Sequence, residues 1–166
     1  MTDERAAWLE AAMARWETSL VRLCYACLGD RALAEDAVQE TFLKAWKGYD
    51  RFRGEAQEKT WLTRIAINTC RSMRRGAWFR RVDRSMPLSD LPEPSAPFTF
   101  QDDAVAKAVM GLKPKLREVV LLRWYQELSA EETAEALGLS RSAVFKRLDK
   151  ARDALRRELE AWYHET

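Results

Sequence analysis

Two sets of side chains in this sequence have the types and spacing to handle nucleic acid, whereas none has the spacing for bond-making chemistry. Trp61, Arg64, Asn68 and Arg71 follow one another at three- and four-residue steps, which on a helix lines up an aromatic face, an amide and two cations. An unpaired strand is held by that combination of stacking surface, amide donors and acceptors, and positive charge. The same pattern would also suit a core tryptophan beside solvated polar groups. The second set, Arg141, Ser142, Phe145, Lys146 and Arg147, opens a basic helical stretch. There an arginine could address guanine and a phenylalanine could pack on a thymine methyl. Lys150, Arg152 and Arg156 lie further along, where they suit phosphates or solvent.

Catalytic groupings are missing from the pattern. One histidine, His164, stands near the end of the sequence. No glycine-rich phosphate loop, Ser-His-Asp set or HExxH motif occurs. Cys24 and Cys27 would be neighbours on a helix, but Cys70 has no partner near it in sequence, so a four-ligand zinc site is hard to assemble. All three thiols are expected to be buried, and no metal, cofactor or enzymatic activity is expected. The seven tryptophans are expected to be mostly core.

The elements that must position these residues are helical. Trp8, Leu9, Met13, Trp16, Leu20, Leu23, Cys24 and Cys27 recur at helical steps up to Gly29. Asp30 can cap a second helix with a stripe of Leu33, Ala37, Val38, Phe42, Ala45 and Trp46, an acidic and amide-rich opposite face, and Gly48 as its stop. A third helix is predicted from about Thr60 to Arg75, burying Trp61, Leu62, Ile65, Ala66, Thr69 and Met73. Pro87, Pro92, Pro94 and Pro97 then rule out a helix over Met86 to Phe98, and the segment reads as a linker.

Beyond it, Val105, Val109 and Leu112 predict a short helix, and Pro114 opens another that buries Leu116, Val119, Val120 and Leu122. Ser129 and Glu132 form a capping-box pattern for a helix that stops at Gly138, and Ser140 caps a long last helix lined by Val144, Leu148, Ala151, Leu155 and Leu159. A short helix, a tight turn with glycine and a second helix with a basic outer face is the helix-turn-helix pattern of DNA binding.

Net charge is only +2, yet its distribution is uneven. Arg71 to Arg84 holds six arginines against Asp83, and Arg141 to Arg157 holds seven basic residues against two aspartates. Ser85 to Asp103 between them is acidic and has no base. Two basic patches suggest two contacts with a polyanion, although solvated helix faces would look the same. No apolar run approaches the roughly 20 residues of a spanning helix, and MTDERAAW lacks the order of a signal peptide. A cytoplasmic protein is expected.

The string from Asp36 to Trp46, then Phe52-Arg53-Gly54 and Thr60 to Asn68, closely resembles the second region of extracytoplasmic-function sigma factors of bacterial RNA polymerase. Leu112 to Leu155 resembles their fourth region, including Leu116 to Arg123 and Ala151 to Leu155. The resemblance covers most of the chain, in the family's order. It implies an all-α protein with region 2 over residues 1–80, a flexible linker over 81–103 and region 4 over 104–166.

Roles follow from the resemblance where residues match. Asp36, Gln39, Glu40, Phe42 and Trp46 would lie in the helix that docks on the clamp helices of the largest subunit of core polymerase, with polar members in contact and aromatics mostly packed. Phe52, Arg53 and Lys59 of the intervening loop, with Trp61, Arg64, Asn68 and Arg71, would capture the unpaired −10 strand of promoter DNA. Arg141, Ser142, Phe145, Lys146 and Arg147 would read the −35 duplex. Ala143 departs from the hydroxyl residue common at its place, and Phe145 from the more usual basic one. An inhibitory anti-sigma factor is the further partner implied. The competing expectation is a regulator that binds duplex DNA unaided through the helix-turn-helix.

Overall fold

The computed structural model describes residues 2–52, 57–76 and 103–165, with side chains over 3–52, 57–76 and 104–161. Arg53, residues 81–102 of the expected linker and the basic residue Arg80 lie outside the described residues, while Asp103, the last residue of that expected linker, already opens a helix. Among those described, every regular element is helical. The chain divides into two compact units, Met1–Phe98 and Thr99–Thr166.

In the first unit, α1 (Thr2–Leu28), α2 (Arg31–Lys47) and α3 (Glu58–Arg75) pack on one another, with a 3-10 turn at Tyr49–Arg51 between the last two. The stop and start signals act as their chemistry requires. Gly29 takes φ 72 after α1, a left-handed backbone that glycine adopts without a Cβ clash. Asp30 then opens α2, its side chain accepting a bond from the Leu33 N–H at 2.9 Å. At the far end the Gly48 N–H bonds the Lys44 carbonyl at 2.9 Å. Ala12, Ala26, Ala34, Ala37, Ala45 and Ala66 are all fully buried, and such small side chains let helix axes approach closely.

The third helix begins two residues earlier than Thr60, at Glu58, and its burial departs from expectation. Leu62, Ala66 and Thr69 are buried, but Trp61, Ile65 and Met73 are half-buried, while Thr63, Ile67 and Cys70 fill the interior. The buried arc is thus rotated toward Ile67 and Cys70, because α1 and α2 both pack on that side. Among the described residues, the tryptophans are likewise not core. Trp8, Trp16, Trp46 and Trp61 are half-buried and Trp124 is exposed, as suits wide rings whose N–H groups need partners.

The second unit contains α4 (Asp103–Met110), α5 (Pro114–Val120), α6 (Ala130–Leu137) and α7 (Arg141–Glu165), with α4, α5 and α6 each against α7. Pro114 occupies the first turn of α5. Val119, Val120 and Leu122 are buried and Leu116 half-buried. The helix then widens into a π-helical turn over Leu121–Tyr125, where Gln126 N–H reaches the Leu121 carbonyl at 2.8 Å. Glu127 follows at φ 58, and Leu128 drops into the core, 1% exposed. Sequence periodicity had no means of marking that extra residue per turn.

The helix-turn-helix forms as its capping pattern predicts. Ser129 Oγ accepts from Glu132 N–H, and Glu132 Oε1 accepts from Ser129 N–H, both at 3.0 Å. Gly138 closes α6 at φ 67, with Leu139 N–H on the Ala134 carbonyl at 2.9 Å. Ser140 Oγ accepts from Ala143 N–H at 3.1 Å and opens α7.

The two left-handed residues should respond oppositely to substitution. Glu127→Gly relieves a Cβ-bearing residue of positive φ and should raise stability by about 0.5–1 kcal/mol. Gly138→Ala meets no neighbour within 4 Å, yet should lose about 1 kcal/mol for backbone reasons alone. Urea unfolding of both variants checks the signs.

Candidate nucleic-acid interface

Helix α2 presents one row to solvent. Asp36, Gln39 and Glu40 are exposed, Phe42 is buried and Trp46 is half-buried beneath the Arg5 guanidinium, which lies 5.5 Å from its ring centre. One turn beyond Glu40 stands Leu43, 47% exposed, a position the sequence pattern did not single out. Its spacing of three and four from Glu40 and Gln39 puts it on their face, so the signal was present as an apolar residue out of phase with the core stripe. An apolar cavity of about 740 Å³ runs alongside, between α1 and α2, with Met13, Val21, Val38, Phe42 and Trp46 in its lining.

On α3, Trp61, Arg64, Asn68 and Arg71 share one face, as predicted; Arg64 and Asn68 are exposed, Trp61 and Arg71 half-buried. Phe52 is brought to this row by stacking on Trp61, with ring centres 4.8 Å apart and planes at 24°. Trp8 reaches the same cluster from α1, its ring centre 6.0 Å from Trp61 and 5.1 Å from Tyr49. Trp61 therefore offers part of its surface, the remainder being packed. Lys59 is not in the row. Its ammonium sits 5.8 Å over the Trp16 ring, since two residues before Trp61 lies on the other side of a helix. Arg53 lies outside the described residues.

Anchoring this cluster is a residue that sequence reasoning missed. Glu58 accepts the indole N–H of Trp8 at 2.7 Å and that of Trp16 at 2.8 Å, one on each carboxylate oxygen, and Arg15 approaches at 3.4 Å. Its side chain is only 16% exposed. Arg5 adds a 2.7 Å ion pair to Asp50, which ties the start of α1 to the 3-10 turn. None of these contacts follows a helical period, so no local pattern could have exposed them.

In the second unit the solvent face of α7 carries Arg141, Ser142, Phe145 and Lys146, all exposed. Arg141 lies 5.6 Å from the Phe145 ring centre and 3.5 Å from Glu131, which holds its guanidinium near the start of the helix. Arg147 is half-buried and, two residues on, points about 160° away from Phe145 around the axis. It is thus parted from the other four. Arg152 stacks over Trp124 at 5.5 Å, while Lys150 and Arg156 are exposed.

The cysteines are buried and free, and folding brings Cys70 against the other two. Its hydrogen bond with Cys24 pushes the Cys70 thiol far up from the ordinary range, against an opposing bond with Cys27, and burial adds to the rise. Among the described residues no His, Cys, Asp or Glu group is arranged to hold a metal. Nor is any helix long and apolar enough to cross a membrane.

The chain is similar to known proteins. Residues 13–80 match the family described as Sigma-70 region 2, and residues 108–157 that described as Sigma-70, region 4. The ECF RNA polymerase sigma factor SigG of Mycobacterium tuberculosis is 33% identical over 181 residues, covering 92% of this chain and 49% of SigG, so the chain spans about half the length of that relative. The ECF sigma factor SigL of the same species is 35% identical over 161 residues, covering 94% of this chain and 88% of SigL. Among solved structures, the sigma factor RpoE in complex with the anti-sigma factor NepR, from Bartonella quintana, superposes with a TM-score of 0.74 at 25% identity, covering 91% of this chain and 96% of RpoE. The chain belongs to the ECF RNA polymerase sigma factors.

Burial and a raised thiol both suppress the thiolate that reacts with disulfide reagents. Ellman's reagent at neutral pH should therefore titrate no cysteine in the native protein and all three once the chain is unfolded in guanidinium.

Proposed function

We propose that this chain binds core RNA polymerase and directs it to promoters that it reads twice, once as melted −10 strand and once as −35 duplex. The observation that carries the reading is the presence, on one chain, of two nucleic-acid faces of different chemistry. Stacked rings beside an amide and arginines suit an unpaired strand; exposed Arg141, Ser142, Phe145 and Lys146 on a capped helix-turn-helix suit a major groove. Neither alone would distinguish a polymerase subunit from an ordinary regulator.

Residues 1–80 act as region 2, 81–103 as the linker and 104–166 as region 4. Core polymerase docks on the exposed row of α2, where Asp36, Gln39 and Glu40 supply charge and amide contacts, Leu43 an apolar contact one turn on, and Phe42 and Trp46 the support beneath. The −10 strand runs over Phe52, Trp61, Arg64, Asn68 and Arg71, with Arg53 beside Phe52 in sequence and Lys59 nearer Trp16. Extracting a base from the stack costs a few kcal/mol, and a preformed ring surface offsets it. At the −35 duplex Arg141 and Lys146 take bases or phosphates and Phe145 takes a thymine methyl, while Arg147, on the flank, suits a phosphate. No reaction is catalysed. The protein works in the cytoplasm with the polymerase, and an anti-sigma factor occludes it when inactive, as NepR accompanies RpoE.

Run-off transcription with purified core polymerase over a promoter library tests the whole reading; failure to bind core, or to select any start site, overturns it. Individual faces should separate. Trp61→Ala should weaken capture of the −10 strand by about 1–3 kcal/mol and leave core affinity intact, whereas Leu43→Ala should lower core affinity by about 1–2 kcal/mol and spare both DNA contacts. Replacing each −35 thymine by uracil in turn should weaken wild-type binding at one position and leave Phe145→Ala indifferent there.

A further inference from the structure

Glu58 has no place among the residues assigned to DNA or polymerase, yet its carboxylate is tied on both oxygens and approached by Arg15 at 3.4 Å. Both of its oxygens are occupied by indole donors from α1, Trp8 at 2.7 Å and Trp16 at 2.8 Å. A carboxylate so little exposed would be costly without such donors. Trp8 is also the ring that packs on Tyr49, Phe52 and Trp61. Glu58 and Trp61 are three residues apart on α3, one turn, so a single indole from α1 bonds one of them through its N–H and braces the other with its ring. Lys59, between them, is drawn over Trp16.

We infer that Glu58 is a positioning residue for −10 capture: by holding Trp8 and Trp16 it sets the plane and depth of the Phe52–Trp61 stack before DNA arrives. The inference rests on the assignment of that stack to the −10 strand. Its physical basis is preorganisation, since rings already held in the bound arrangement lose less freedom on binding. Without the carboxylate, Trp8 keeps its apolar contacts but no longer has a fixed rotation, and the stack it braces becomes mobile.

The test uses this chain bound to core polymerase and a fluorescent single-stranded −10 oligonucleotide taken from a promoter selected by run-off transcription. Glu58→Ala and Glu58→Gln should each bind that strand about tenfold more weakly, with core affinity and −35 duplex binding within about twofold of wild type. In the free chain, the indole N–H resonances of Trp8 and Trp16 should move and lose their protection from hydrogen exchange. Gln keeps one carbonyl acceptor, so adding Trp16→Phe to Glu58→Gln removes the surplus donor and should restore most of the lost strand affinity.

Equal strand binding by wild type and both Glu58 variants overturns the inference alone. So does a parallel loss of core affinity, which would mark a general role in holding region 2 together. If wild-type holoenzyme takes up no −10 strand, the functional assignment of the stack falls first and the inference with it. Should Glu58→Ala not fold, Glu58→Gln and its double variant carry the same comparison.

Discussion

The aromatic edge of the first unit is set by a carboxylate held between two indole rings. Helices α1 and α3 are joined by apolar contacts that tolerate sliding, whereas a carboxylate with an N–H donor on each oxygen tolerates very little. Glu58 supplies that constraint at the first turn of α3, where the helix dipole also favours an acid. The Lys44 ammonium adds a second polar tie at the other side, donating to Thr69 Oγ1 at 3.1 Å and so linking α2 to α3. Around these ties the interior is built from alanines and medium aliphatics, and the wide rings are pushed to the margin. The margin is where a partner strand can use them.

The second unit obtains its orientation differently, through backbone devices. A capping box, a left-handed glycine and a hydroxyl cap fix the entry and exit of α6 and the entry of α7 within a dozen residues. Such local closure leaves the start of α7 free of packing duties, so Arg141, Ser142, Phe145 and Lys146 can all face outward. The π-helical turn upstream has a related effect. By inserting an extra residue it turns Trp124 and Tyr125 outward and Leu128 inward.

How much of this was legible depends on the range of each interaction. Asp30, Gly48, Pro114, Ser129, Glu132, Gly138 and Ser140 were read correctly because caps act over three or four residues, within reach of a sequence pattern. The polar rows on α2 and α3 were legible for the same reason. Depth was not: Trp61, Ile65 and Met73 lie on the side of α3 that periodicity marks as apolar, but only the placement of α1 and α2 decides how far each is covered. Glu58 with Trp8 and Trp16, and Cys70 with Cys24 and Cys27, join positions more than forty residues apart. Family resemblance supplied roles for matching residues and was silent on these contacts.

Two indoles whose centres stand 6.0 Å apart at an interplanar angle of 51° are close enough, and oblique enough, for their ultraviolet transitions to couple. Trp8 and Trp61 thereby give the protein an intrinsic exciton signal, one that depends on the mutual orientation of the two chromophores. Any event that tilts either ring changes its sign or amplitude, so the arrangement that shapes this surface also lets it be watched by circular dichroism without a label.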